Sequence, residues 1–140
     1  MNKEKLARDF IRQFEKSWPA DLRQALSILA DDAYYQMVVP TIKSVHGKEA
    51  IIDALEVMKT KVADQRHEII NVASSGDVVF TERIDYSLRH QKWVPIPLVA
   101  VFEINDEGKI CTWREYLDLY SNMKNHGLSF EEMKETIDAL

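Results

Sequence analysis

The apolar residues of this chain change their period once. Up to about residue 58 they recur at helical spacing, and from His67 onward they alternate with a period of two. Leu6, Ala7, Phe10, Ile11, Phe14 and Trp18 form a helical stripe that Pro19 ends, which predicts a first helix of about four turns. Asp21, with Gln24 three positions on, has the pattern of an N-cap for a second helix carrying Leu22, Ala25, Leu26 and Leu29. Ala33 to Val39 is short, aromatic and β-branched and reads as a strand stopped by Pro40. A loop through Gly47 leads to a third helix bearing Ile51, Ile52, Leu55 and Met58. His67–Ala73, Asp77–Ser87, Trp93–Ile104 and Lys109–Leu119 are predicted strands. Ser74-Ser75-Gly76 and Asn105-Asp106-Glu107-Gly108 are turn sequences, which imply antiparallel neighbours. Ser129 and Glu132 form a capping-box pair that opens a last helix.

Helices first and long antiparallel strands afterwards describe an α+β fold, in which the helices cover one face of a curved, mostly antiparallel sheet and close it into a cone. Pro95 and Pro97 interrupt an otherwise apolar strand, so an edge or a bulge is expected there. The interior of such a cone is a natural small-molecule pocket. No internal repeat, linker or low-complexity segment divides residues 1–140, which read as a single domain. With 46% apolar and 29% charged residues the composition is that of a globular protein. A net charge of -5 without a Lys/Arg cluster argues against nucleic acid or an anionic membrane as partner. No apolar run approaches the roughly 18 residues of a membrane span, and the N-terminus enters an amphipathic pattern without a signal-peptide core, so a cytoplasmic location is expected. The one cysteine, Cys111, reads as a small buried hydrophobe on a strand. His46, His67, His90 and His126 show no metal-ligand spacing and read as solvated or capping residues, so no metal and no cofactor are expected. Neither a phosphate-binding glycine loop nor a nucleophile-elbow motif is present.

Two strands carry ionisable residues inside segments that otherwise read as core. Arg83 and Asp85 project to the same side as Val79, Thr81 and Ser87. On the second strand Cys111, Trp113, Glu115, Leu117 and Leu119 share a face that is apolar except for Glu115. An unpaired charge away from water costs several kcal/mol, so Glu115 needs a partner or a proton. These residues could form no more than a same-face ion pair or a structural bridge, and Tyr35 could be an ordinary core tyrosine. Arg114 and Asp118 fall on the opposite face and read as a surface or interface pair.

Three segments resemble the limonene epoxide hydrolase family, within the nuclear transport factor 2-like, SnoaL-like (cystatin-like) fold shared with ketosteroid isomerase. Asp32-Ala33-Tyr34-Tyr35-Gln36 resembles the strand bearing the family's catalytic tyrosine, which falls on Tyr35. Glu82-Arg83-Ile84-Asp85 resembles the strand with its arginine and acid, and Trp113-Arg114-Glu115-Tyr116 the strand with its base. The resemblance implies cofactor-independent epoxide hydrolysis in one step to a vicinal diol. Asp85 would be the acid, Glu115 the base acting on a water held against Tyr35, and Arg83 the bridge between the carboxyl groups. An acid role requires Asp85 to hold a proton that Arg83 disfavours; one proton shared across the pair would reconcile them. Two positions depart from the family. Glu115 replaces an aspartate, and Met37 stands where an asparagine helps hold the water. Met37, Val38, Leu98, Trp113 and Leu117 are the expected pocket wall for a small apolar substrate, and a homodimer through the exposed sheet face is expected by analogy. The same residues would also suit an epoxide-opening cyclase, an isomerase, or a non-catalytic ligand-binding or dimerisation module.

Overall fold

The computed structural model describes residues 1–139. Its elements are α1 (Lys3–Ser17), α2 (Leu22–Ala25), β1 (Leu29–Gln36), β2 (Val45–His46), α3 (Lys48–Met58), β3 (Asp64–Ser75), β4 (Val78–Arg89), β5 (Lys92–Ile104), β6 (Ile110–Tyr116), α4 (Leu119–Asn125) and α5 (Phe130–Asp138). Among the described residues the strands form a curled sheet in the order β2-β1-β6-β5-β4-β3. The pairs from β3 to β6 are antiparallel, whereas β1 lies parallel to β6. Among the described residues no helix is long and apolar enough to cross a membrane.

Helix α1 covers the inner face. Asn2 caps it by accepting from the Lys5 N–H at 3.0 Å, and Ala7, Phe10, Ile11 and Phe14 bury one stripe. Phe10 meets Phe102 and Trp113 edge-on, at centroid distances of 5.8 and 5.2 Å, so the aromatic contacts fix how the helix sits on β5 and β6. Asp21 accepts from the Gln24 N–H at 3.1 Å, as its spacing predicts, and Ser129 with Glu132 closes a capping box on α5.

Several expected boundaries move. The second helix stops at Ala25, a short 3-10 turn takes Leu26–Ile28, and Leu29 opens β1, where it is paired with Ile110 and buried. Sheet pairing thus overrides the helical stripe. The last strand ends at Tyr116, because Asp118 accepts from the N–H of Tyr120 and starts α4 at Leu119. Arg114 and Asp118 are therefore not a pair: Asp118 is a cap, and Arg114 reaches Glu103 on β5 at 3.3 Å. Pro95 and Pro97 lie on the part of β5 that β6 does not reach, since β6 pairs only with Val99–Ile104. Their missing N–H groups face an open edge there and remove no ladder bond. In β3, Ile69 faces Arg83 but Asn71 faces Glu82, so Ile70 is an extra residue that bulges outward.

Phe102 is fully buried at the centre of the aromatic cluster. Phe102→Ala is expected to lower unfolding free energy by about 3–5 kcal/mol in urea titrations. Phe130→Ala, on the exposed side of α5, is expected to change it by less than about 0.5 kcal/mol.

Candidate active site

Arg83 is buried on β4, and its guanidinium bridges two carboxylates. Nε donates to Asp85 Oδ1 at 2.7 Å and Nη2 to Asp85 Oδ2 at 3.3 Å; Nη2 also donates to Glu115 Oε2 at 3.1 Å. Nη1 donates to Thr81 Oγ1 at 3.0 Å. The second oxygen of Glu115 accepts from the Tyr35 hydroxyl at 2.9 Å, and the Tyr35 ring lies 4.2 Å from that of Trp113. Arg83, Asp85, Glu115 and Tyr35 therefore line one cavity between α1, α3 and the sheet.

Strand register explains the convergence. Thr81, Ala100 and Glu115 lie in one row across β4, β5 and β6. Ala100 is the small residue over which the guanidinium passes from Thr81 to Glu115. Tyr35 enters from β1, whose parallel register sets it beside Trp113.

Burial pushes the Glu115 carboxyl up to about 7, because the desolvation of its charge and the nearby Asp85 outweigh the pull of Arg83 and of the Tyr35 hydrogen bond. Burial also raises the Tyr35 hydroxyl well above its ordinary range, with Glu115 adding to it. For Arg83, burial favours loss of the charge, but Asp85 and Glu115 more than offset it and raise the group further. Two ionised carboxylates on one guanidinium would carry a net charge of -1, and one proton on the pair makes the cluster neutral. Such a proton belongs to the pair.

Met37, Leu98, Trp113 and Leu117 line the cavity as expected from their positions, with Phe10, Ile11, Phe14, Leu55, Met58 and Ile96. Val38 does not. It follows the end of β1 at φ 59°, a left-handed conformation that a β-branched residue rarely adopts, and its buried side chain leaves the cavity wall. His67 is the residue that the sequence reading missed. Its side chain is 3% exposed, faces Asp85 across the β3–β4 ladder with Nε2 4.0 Å from Oδ2, and has Nδ1 4.0 Å from Glu15 Oε2. Burial lowers its pKa against the pull of Asp85, so the imidazole is neutral at neutral pH. The Ile70 bulge turns it inward: counted back from the hairpin without that bulge, Glu68 would oppose Asp85. No sequence signal marks the bulge.

The remaining wall is more polar than the pattern of strands implied, with Gln65, Ser87, Arg89 and Asn122. Among the described residues five buried side-chain polar atoms lack a hydrogen-bond partner, and four of them, His67 Nδ1, Arg89 Nε, Trp113 Nε1 and Asn122 Oδ1, belong to residues lining this cavity. Unsatisfied groups concentrated in one place suit a site that receives a ligand. No three His, Cys, Asp or Glu side chains among the described residues stand together as metal ligands.

The family model for the limonene-1,2-epoxide hydrolase catalytic domain matches residues 3–127. The chain belongs to this family. It is 33% identical over 100 residues to epoxide hydrolase EphG of Mycobacterium tuberculosis, an alignment covering 69% of this chain and 62% of that protein. The chain thus spans somewhat less than two thirds of that relative. An LEH-like epoxide hydrolase structure from M. tuberculosis superposes with a TM-score of 0.70 at 23% identity, covering 97% of this chain and 98% of the other. A SnoaL-like protein from Jannaschia sp. CCS1 gives 0.72 at 17% identity, covering 89% and 94%. These two likenesses establish the fold: the nuclear transport factor 2-like cone.

A carboxyl raised in the folded state binds a proton that the unfolded chain has already released, so the contribution of Glu115 to stability falls as pH rises from about 4.5 to about 7 and is level above. The difference in unfolding free energy between Glu115→Gln and the parent is therefore expected to move in the variant's favour between about pH 5 and about pH 8, as read by urea titration at each pH. A difference independent of pH would contradict the assigned shift.

Proposed function

We propose that the protein opens a small epoxide with water in one step to give a vicinal diol, without a cofactor. The observation that carries this reading is the guanidinium of Arg83 held by two carboxylates of unequal surroundings, inside a cavity otherwise walled by apolar side chains. Family membership supports the same class of reaction. In the reactive arrangement the shared proton has passed from Glu115 to Asp85, which gives it to the epoxide oxygen as the C–O bond breaks. Glu115, ionised, takes a proton from the water that attacks the ring carbon. The proton then returns from Glu115 to Asp85, so that epoxide and water are consumed and only the diol leaves. Each transfer contributes roughly a factor of 100 to 10,000. Arg83 holds both carboxyl groups, and the Tyr35 hydroxyl holds the base.

A second reading draws on Met37. A thioether on the cavity wall is a weak acceptor and donates nothing, so the attacking water has few anchors beyond Glu115 and Tyr35. Attack by a hydroxyl of the substrate itself would need no such anchor and would give a cyclic ether. We also take the chain to work as a homodimer through the outer sheet face, where Phe80, Val99 and Tyr116 are exposed side by side. Tyr116→Lys is then expected to shift the mass measured by light scattering from dimer to monomer.

The reaction is tested by supplying linear, cyclic and terpene epoxides in heavy-oxygen water. One labelled oxygen in a diol is expected, and Asp85→Asn is expected to reduce turnover at least about a hundredfold. Because the carboxyl pair must keep its one shared proton to donate, kcat/KM should fall as pH rises through about 7. Unlabelled product, or undiminished turnover by the variant, rejects hydrolysis by this pair; a cyclic ether would select the second reading.

A further inference from the structure

The far end of the same cavity holds a cation without a counter-ion. Arg89 follows Asp85 and Ser87 on the inward face of β4, lines the cavity, and forms no ion pair among the described residues. Its Nε is buried and lacks a partner, as does Asn122 Oδ1 on α4, which lines the same cavity. Burial lowers the pKa of this guanidinium, and no carboxylate opposes that effect. The groups around it are positive or neutral. Lys92 is its cross-strand neighbour on β5, and the pKa of His126, which closes α4, is lowered by burial first and then by Arg89 and Lys92. His126 Nδ1 donates to the Asn122 carbonyl at 2.7 Å, leaving a buried Nε2 without a partner. From β3, Asp64 lies opposite Leu88 but accepts from the Gln65 N–H and pairs with no cation.

In a chain of net charge -5 this local cluster of positive charge meets no carboxylate among the described residues, and a half-buried guanidinium with an idle Nε costs free energy. We propose that Arg89, with Asn122, binds the carboxylate of a linear epoxy acid whose epoxide lies at Asp85 and Glu115. This rests on the hydrolase reading above and names its substrate class. Guanidinium and carboxylate match as a two-point pair, and Asn122 adds an N–H donor when its amide turns over to face the ligand. Residues 85 and 89 are roughly 13 Å apart along an extended strand. With both side chains reaching inward, that span suits a medium-length alkyl chain, and the apolar wall of Leu55, Met58, Ile96, Leu98 and Leu117 lies beside it.

The test compares octanoate with 1-octanol by calorimetry at neutral pH, in the parent, Arg89→Gln, Arg89→Lys and Asp85→Asn. Octanoate is expected to bind about tenfold or more tightly than the alcohol. That preference should vanish in Arg89→Gln, return in part in Arg89→Lys, and persist in Asp85→Asn. Equal binding of the two, no binding of octanoate, or a preference that survives Arg89→Gln overturns the inference. A kinetic comparison separates the two readings: the terminal epoxide of octanoate should have the lower KM against epoxyoctane in the parent and not in Arg89→Gln. Turnover of both with equal KM overturns the carboxylate site and leaves the hydrolase reading standing. Arg89-dependent octanoate binding with neither epoxide opened would reject the hydrolase reading and leave the anion site.

Discussion

The buried guanidinium of Arg83 is the constraint around which the cavity is arranged. A cation removed from water costs several kcal/mol unless its donors are met, and four of its N–H···O contacts are met by Thr81, Asp85 and Glu115. Meeting them demands that β4, β5 and β6 stay in one register and that position 100 stay small. A larger side chain at Ala100 would stand in the path between Thr81 and Glu115. The same demand explains why the inner face is polar here and aromatic next door. Trp113, Phe102 and Phe10 pack beside the pair and keep water off it, which is what raises Glu115.

Charge balance then limits the chemistry. Glu115 sits deeper than Asp85 and shares its second oxygen with a phenol, while Asp85 takes the guanidinium through two contacts and lies nearer the opening. Two carboxyl groups on one arginine in such unequal settings are the arrangement that lets one lose a proton as the other gains one. His67 adds a neutral imidazole against Asp85, so no further positive charge competes for that carboxylate.

Much of this was legible before any coordinates. The change of period predicted the order of layers, and alternation alone put Arg83 and Asp85 on one side and Glu115 on the inner side of its strand. The resemblance supplied Tyr35, which periodicity could not distinguish from any core tyrosine. What stayed hidden depended on non-local pairing. The parallel docking of β1 drew Leu29 out of a helical stripe, and Asp118 ended a strand whose apolar alternation ran on to Leu119. His67 reads as a polar strand residue until the Ile70 bulge is known, since one extra residue exchanges the two faces of everything before it. Val38 was misplaced for a related reason: alternation stops counting where the backbone turns to positive φ.

The polar wall bears on what kind of ligand such a cone can hold. An interior meant only for a hydrocarbon would be best lined by hydrocarbon, because each idle donor or acceptor costs about 1–3 kcal/mol in the empty state. This cavity keeps four such atoms, and they are not scattered. Trp113 and His67 flank the carboxyl pair, whereas Arg89 and Asn122 stand four residues further along β4 and on α4. Two separated polar ends joined by an apolar wall would suit the proposed epoxy acid, with two polar groups and a chain between them. A single-ended apolar epoxide would satisfy the first end and leave the second unpaired.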